Sequence, residues 1–91
     1  MNSPFIFVTD ENALKLCLDI SKKMIEAFSI TYDESIYRIN RHWSHLDEIN
    51  EESIIFHENA EFWAYDIYYG ISSGWWNRIG DKTLRPVPIE D

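Results

Sequence analysis

The stretch that most constrains this chain is His57 to Trp76, HENAEFWAYDIYYGISSGWW, which holds three of the four Trp and three of the five Tyr residues. Its middle reads as a helix over 58–69. Ala60, Trp63, Ala64, Ile67 and Tyr68 take one side, and Phe62, Tyr65 and Tyr69 take another. A helix with large apolar side chains nearly all round can face water on only a narrow strip, so other elements must wrap it. Glu58 and Glu61 belong at its start, where anionic side chains oppose the positive end of the helix dipole. Gly70 reads as the left-handed residue that ends it, with Ile71 folding back on the last turn. Asp66 interrupts the aromatic surface. If buried, it requires a Tyr hydroxyl, a Trp N–H or Arg78 as partner.

A chain of 91 residues supplies one core, read as a single domain over 1–91. Apolar residues make up 45% of it and aromatics 15%, which excludes a disordered chain. Cys17 is the single cysteine, so an intramolecular disulfide is excluded and a reducing compartment is favoured. No run approaches the roughly 18 apolar residues of a membrane span. The start, MNSPFIFVTDEN, lacks the basic segment of a secretory signal. The expected location is the cytoplasm, with no membrane contact. The net charge of −8 argues against nucleic acid, whose phosphates select basic faces, and leaves room for a basic protein partner.

The expected fold is mainly α, with a three-helix core over about 10–29, 31–46 and 58–69. Helix one starts at Thr9 or Asp10. Ala13, Leu16, Cys17, Ile20, Met24, Ala27 and Phe28 line one side at helical spacing, and charged residues line the other. Thr31 and Glu34 have the spacing of a capping box, so a second helix follows after a very short turn and packs antiparallel to the first. Tyr32, Ile36, Ile39, Trp43 and Leu46 form its apolar seam. An N-terminal arm, Pro4 to Val8, is either a short strand or an extended segment laid on the core. Ser53 to Phe56 is either a buried strand or a crossing segment. The segments 75–79 and 82–86, joined by Gly80-Asp81, suit a C-terminal β-hairpin.

The reverse side of helix two carries Arg38, Arg41, His42 and His45 at i, i+3, i+4 and i+7. Guanidinium forks suit carboxylates and phosphates, and histidines titrate near neutral pH, so this face is a candidate anion site. The plainer reading pairs it with the protein's own Asp47, Glu48, Glu51 or Glu52, as exposed ion pairs are common and weak. No nucleophile elbow, glycine-rich phosphate loop or tight zinc signature occurs, so no catalytic residue, metal or cofactor is assigned. His42-x-x-His45-x-x-Glu48 is too loose for a zinc site. Cys17 falls on an apolar helix face and reads as a small core residue. Asp47, Glu48, Glu51, Glu52, Tyr68, Tyr69, Trp75 and Trp76 are the candidate partner interface, because Tyr and Trp are frequent anchors of protein contacts.

Arg38-Ile39-Asn40-Arg41-His42-Trp43, His57-Glu58, Glu61 to Gly70 and Trp75-Trp76 together cover about half the chain. This pattern resembles a family of small bacterial proteins with no assigned activity. The resemblance brings an association with immunity partners of secreted toxins. The expected function is therefore a non-enzymatic protein-binding module, an immunity-type inhibitor of a basic toxin. The alternative is a small anion- or ligand-binding domain that uses the basic face.

Overall fold

The computed structural model describes residues 3–50, 58–70, 73–78 and 80–88. The expected segment Ser53 to Phe56, together with Glu51, Glu52, His57 and Ile71, lies outside them. Three helices dominate: α1 (Glu11–Phe28), α2 (Tyr32–His42) and α3 (Ala60–Tyr69). The mainly α, three-helix architecture is thus observed.

Each helix begins at a side-chain cap. Asp10 accepts from Ala13 N–H at 2.8 Å, Thr31 from Glu34 N–H at 3.0 Å and Asn59 from Phe62 N–H at 2.8 Å. These oxygens satisfy N–H groups that the first helical turn leaves open. Between α1 and α2 the chain reverses through Ser29, whose left-handed backbone (φ 56°) lets its N–H bond Ile25 O at 3.0 Å.

Among the described residues, α1 is the element the others pack on, touching both α2 and α3. Ala13, Cys17, Ile20 and Met24 are fully buried along it, at helical spacing. Two small polar residues sit between α1 and α2. The Ser35 hydroxyl donates to Tyr32 O at 2.7 Å, so Ser21 is the donor to Ser35 across 2.5 Å. Both hydroxyls are buried and satisfied, so the approach of the two helices leaves no unmatched polar group there.

The aromatic helix is not sealed in the middle. Only Ala64, Asp66 and Ile67 of α3 are buried. Trp63 is half-buried, packing edge-on to Trp43 with ring centroids 5.4 Å apart. Its other rings are covered from neighbouring segments: Phe28 at the end of α1 stacks on Tyr68 at 3.8 Å, and Trp75 lies 5.3 Å from Tyr65. Gly70 ends α3 with φ +95° and ψ 151°, which is a glycine-only extended region and not the expected left-handed cap.

The N-terminal arm lies on the core and ends in a short strand with a sheet partner. β1 (Val8–Thr9) pairs in parallel with β2 (Glu48–Ile49), with Val8 opposite Glu48 and Thr9 opposite Ile49. The alternation is strict. Phe5 and Phe7 are buried, stacked at 5.4 Å with Phe7 edge-on to Trp43 at 6.1 Å, while Ile6 and Val8 face outward. Asn40 of α2 clips the arm, accepting from Ile6 N–H at 2.9 Å and donating to Pro4 O at 3.2 Å.

Three expectations are corrected. α3 begins at Ala60 behind its Asn59 cap and not at 58, which leaves Glu58 outside the helix. α2 stops at His42 and not near 46, and residues 43–45 form a turn. Burying Trp43 beneath the arm and bringing Asp47 O to Val8 N–H (2.9 Å) requires the chain to leave the helix there. The expected hairpin takes another form: Trp75–Asn77 is a 3-10 turn, and no strand occurs among the described residues of 75–86. The Trp75 indole turns inward to Asp66, while Arg78 ties this segment into local loops through Asp81, Ser73 O and Thr83.

Candidate functional site

Three of the four residues of the basic face meet at one cleft. Arg38, Arg41 and His42, with Ile67 and Val87, line a cavity of about 110 Å³. Helical spacing aligns the first three on α2, and α3 supplies the apolar floor. His45 lies exposed in the turn past the helix end and does not line the cavity.

Arg38 is 7% exposed. Its Nε donates to Glu34 Oε2 at 2.9 Å, its Nη1 to Val87 O at 2.6 Å, and its guanidinium carbon lies 4.8 Å from the Tyr68 ring centroid. Burial of a charge is tolerated because it is paired, hydrogen-bonded and set over an aromatic face. Arg41 is exposed and donates through Nη1 to Pro88 O. The segment Val87–Pro88 is therefore a strap across the basic face, fixed also by Val87 N–H to Tyr68 O at 2.8 Å. Among the described residues no ion pair joins the basic face to Asp47 or Glu48, and the other expected partners, Glu51 and Glu52, lie outside them. Glu34 and the backbone carbonyls of Val87 and Pro88 hold the arginines.

Behind the cleft lies a buried polar line. Asp66, 5% exposed, accepts from the Trp75 indole N–H at 3.1 Å, and its other oxygen is 4.0 Å from His42 Nε2. The second distance is too long for a hydrogen bond. Burial lowers the His42 pKa from its ordinary 6.5, nearby His45 lowers it further, and Asp66 works in the opposite direction. Desolvation is the largest of these effects, so His42 is neutral at pH 7. Asp66 thus finds one of its expected partners, a Trp N–H, whereas Arg78 pairs with Asp81.

The candidate interface residues divide. Asp47 and Glu48 are exposed, and Trp76 is 53% exposed. Tyr68 and Tyr69 are half-buried in the ring cluster around Phe28. Trp75 is a correction: at 7% exposure it belongs to the interior, because its N–H is committed to Asp66. Sequence reading missed Ile6 and Val8, which are 67% and 65% exposed on the outward side of the β1–β2 ribbon. Val8 is directly opposite Glu48, so their side chains share that side. The signal was present in the alternation of Phe5-Ile6-Phe7-Val8.

Cys17 is fully buried, and desolvation pushes its thiol up to about 12, which keeps it protonated and unreactive. Among the described residues no three His, Cys, Asp or Glu side chains gather as metal donors, and no helix is long and apolar enough to cross a membrane. Compared with protein-family models, curated proteins and solved structures, the chain matches none.

Proposed function

We propose that this chain is a non-enzymatic protein-binding module for a basic partner, acting as an immunity-type inhibitor that masks a basic toxin. The supporting observation is the outward side of the β1–β2 ribbon. Ile6 and Val8 stand 67% and 65% exposed there, and Glu48 is the register partner of Val8. Asp47 is exposed beside it. Two protruding β-branched side chains edged by carboxylates offer an apolar centre with an acidic rim, an arrangement suited to a basic surface. The net charge of −8 steers such a partner inward and disfavours nucleic acid. A cytoplasmic site of action goes with this reading.

The test is site-specific photo-crosslinking in cells from position 8, with position 22 on the exposed side of α1 as control. The expected result is one discrete adduct with a basic protein from position 8 alone. It should be lost in the Asp47→Lys, Glu48→Lys double variant. Equal adducts from both positions, or survival in the charge-reversed variant, refute the proposal. The immunity form is checked by co-expression with the toxin-like product of a neighbouring reading frame, where rescue of growth should depend on Val8 and Glu48.

A further inference from the structure

Independently of the ribbon, we propose that the cleft formed by Arg38, Arg41 and His42 binds a small oxyanion, the carboxylate or phosphoryl group of a ligand. Three nitrogen-bearing side chains converge on a space of about 110 Å³. A volume of that order holds three or four waters at about 30 Å³ each, or one such group. Its other walls, Ile67 and Val87, are apolar and limit competition from solvent.

The donors are already in place. Arg38 is fixed by Glu34, Val87 O and the Tyr68 ring, so no side-chain ordering remains to oppose binding. Arg41 is held at Nη1 by the Pro88 carbonyl. A carbonyl accepts a hydrogen bond but does not cancel a charge. Among the described residues no carboxylate lies in ion-pair contact with Arg41, whereas Arg38 has Glu34. A guanidinium carries five N–H donors in a planar fork. Among the described residues nothing accepts from Arg41 Nε or Nη2, the pair of parallel donors that grips two oxygens of one anion.

The charges surrounding the cleft favour a singly charged ligand. Arg38 and Glu34 offset one another, which leaves the single charge of Arg41 without a carboxylate in ion-pair contact among the described residues. Neutral His42 has one ring N–H to offer, and an anion at its side stabilises the imidazolium form. The strap makes the site selective for small groups. Val87 and Pro88 are held on the arginines that bind the ligand, so a larger substituent must leave through the open side.

The experiment is a ¹H–¹⁵N titration of the full chain at pH 7, following backbone and arginine Nε signals. Sodium phosphate and sodium acetate are compared with sodium chloride at matched ionic strength. Saturable shifts confined to Arg38, Arg41, His42, Ile67 and Val87 are expected, with a dissociation constant of about 1 mM or tighter. Saturation by phosphate alone assigns a phosphoryl ligand, and saturation by acetate alone a carboxylate. Arg41→Gln, at an exposed position that leaves the core intact, should weaken binding by about tenfold or more, as expected for loss of a charge-assisted pair. Shifts that rise with ionic strength in all three salts, or unchanged affinity in Arg41→Gln, overturn the proposal.

Discussion

α1 and α3 cover apolar surface in opposite ways. α1 alternates charged and apolar residues, yet Ala13, Cys17, Ile20 and Met24 are completely buried along one stripe. α3 carries far more aromatic mass, yet buries only Ala64, Asp66 and Ile67. The difference lies in geometry and not in hydrophobic content. A narrow stripe can be matched in full by two neighbours, and small residues such as Ala13 and Ser21 let those neighbours approach. A helix ringed by Trp and Tyr is not sealed all round by its neighbours, and its rings stay half-buried against Phe28, Trp43 and Trp75.

The sharpest way to break this contrast is to truncate one residue of each kind. Ile20→Ala should cost about 3–4 kcal/mol in urea unfolding, since it removes a large, wholly buried side chain. Tyr69→Ala should cost less than half of that. Equal losses would mean that the aromatic helix, and not α1, carries the core.

Gly70→Ala, at the end of α3, comes next, at about 2 kcal/mol. Its backbone sits at φ +95°, and a Cβ there would lie 3.1 Å from Val87 Cγ2, so both strain and contact with the strap oppose it. Loss of hydrogen-exchange protection at Val87 N–H, ahead of the helices, would locate the damage in the strap.

Asp66→Ala should follow at about 1.5 kcal/mol, because the buried Trp75 N–H loses its acceptor. Asp66→Asn keeps an oxygen for that N–H and should recover most of the loss. Its distinguishing readout is His42: removing the carboxylate takes away an influence that raises its pKa, so an NMR titration should show it falling further. An unmoved His42 would show that the two groups do not interact across 4.0 Å. Asn40→Ala should cost about 1 kcal/mol and expose Ile6 N–H to exchange, leaving α1 and α3 unaffected.

The smallest effect is that of pH. His42 has a folded pKa below its ordinary 6.5, so the unfolded chain binds its proton more readily. Its contribution to stability is complete above pH 6.5, declines as pH drops below that value, and levels off once the folded pKa is passed. His42→Gln should flatten that part of the profile. A stability that rises on acidification through this window would place the wrong sign on the group.

The starts of α1 and α2 were legible because capping is local: Asp10, Thr31 and the stripes behind them needed nothing beyond a few residues of sequence. The basic face was legible for the same reason, since i, i+3 and i+4 share a side of any helix. Its ligands were not. Glu34 is one turn away on α2, but Val87 and Pro88 lie 49 and 47 residues from their arginines. Nothing in the spacing of Arg38 and Arg41 indicates that backbone carbonyls will reach them. The hairpin reading failed similarly. Glycine at position 80 suits a two-residue turn, yet the buried carboxylate of Asp66 draws in Trp75 and rotates the segment away from strand geometry.

By itself, then, the sequence determined where α1 and α2 begin, which stripe of α1 is apolar and which side chains share the basic face. These follow from contacts within one turn of the chain. Only the tertiary structure decided that α1 is the element packed on, that Trp75 is interior while Ile6 and Val8 are not, and that a strap crosses Arg38 and Arg41. Each of those depends on two segments distant in sequence competing for the same space, and burial goes to the pair that fits most closely and leaves no polar group unmatched.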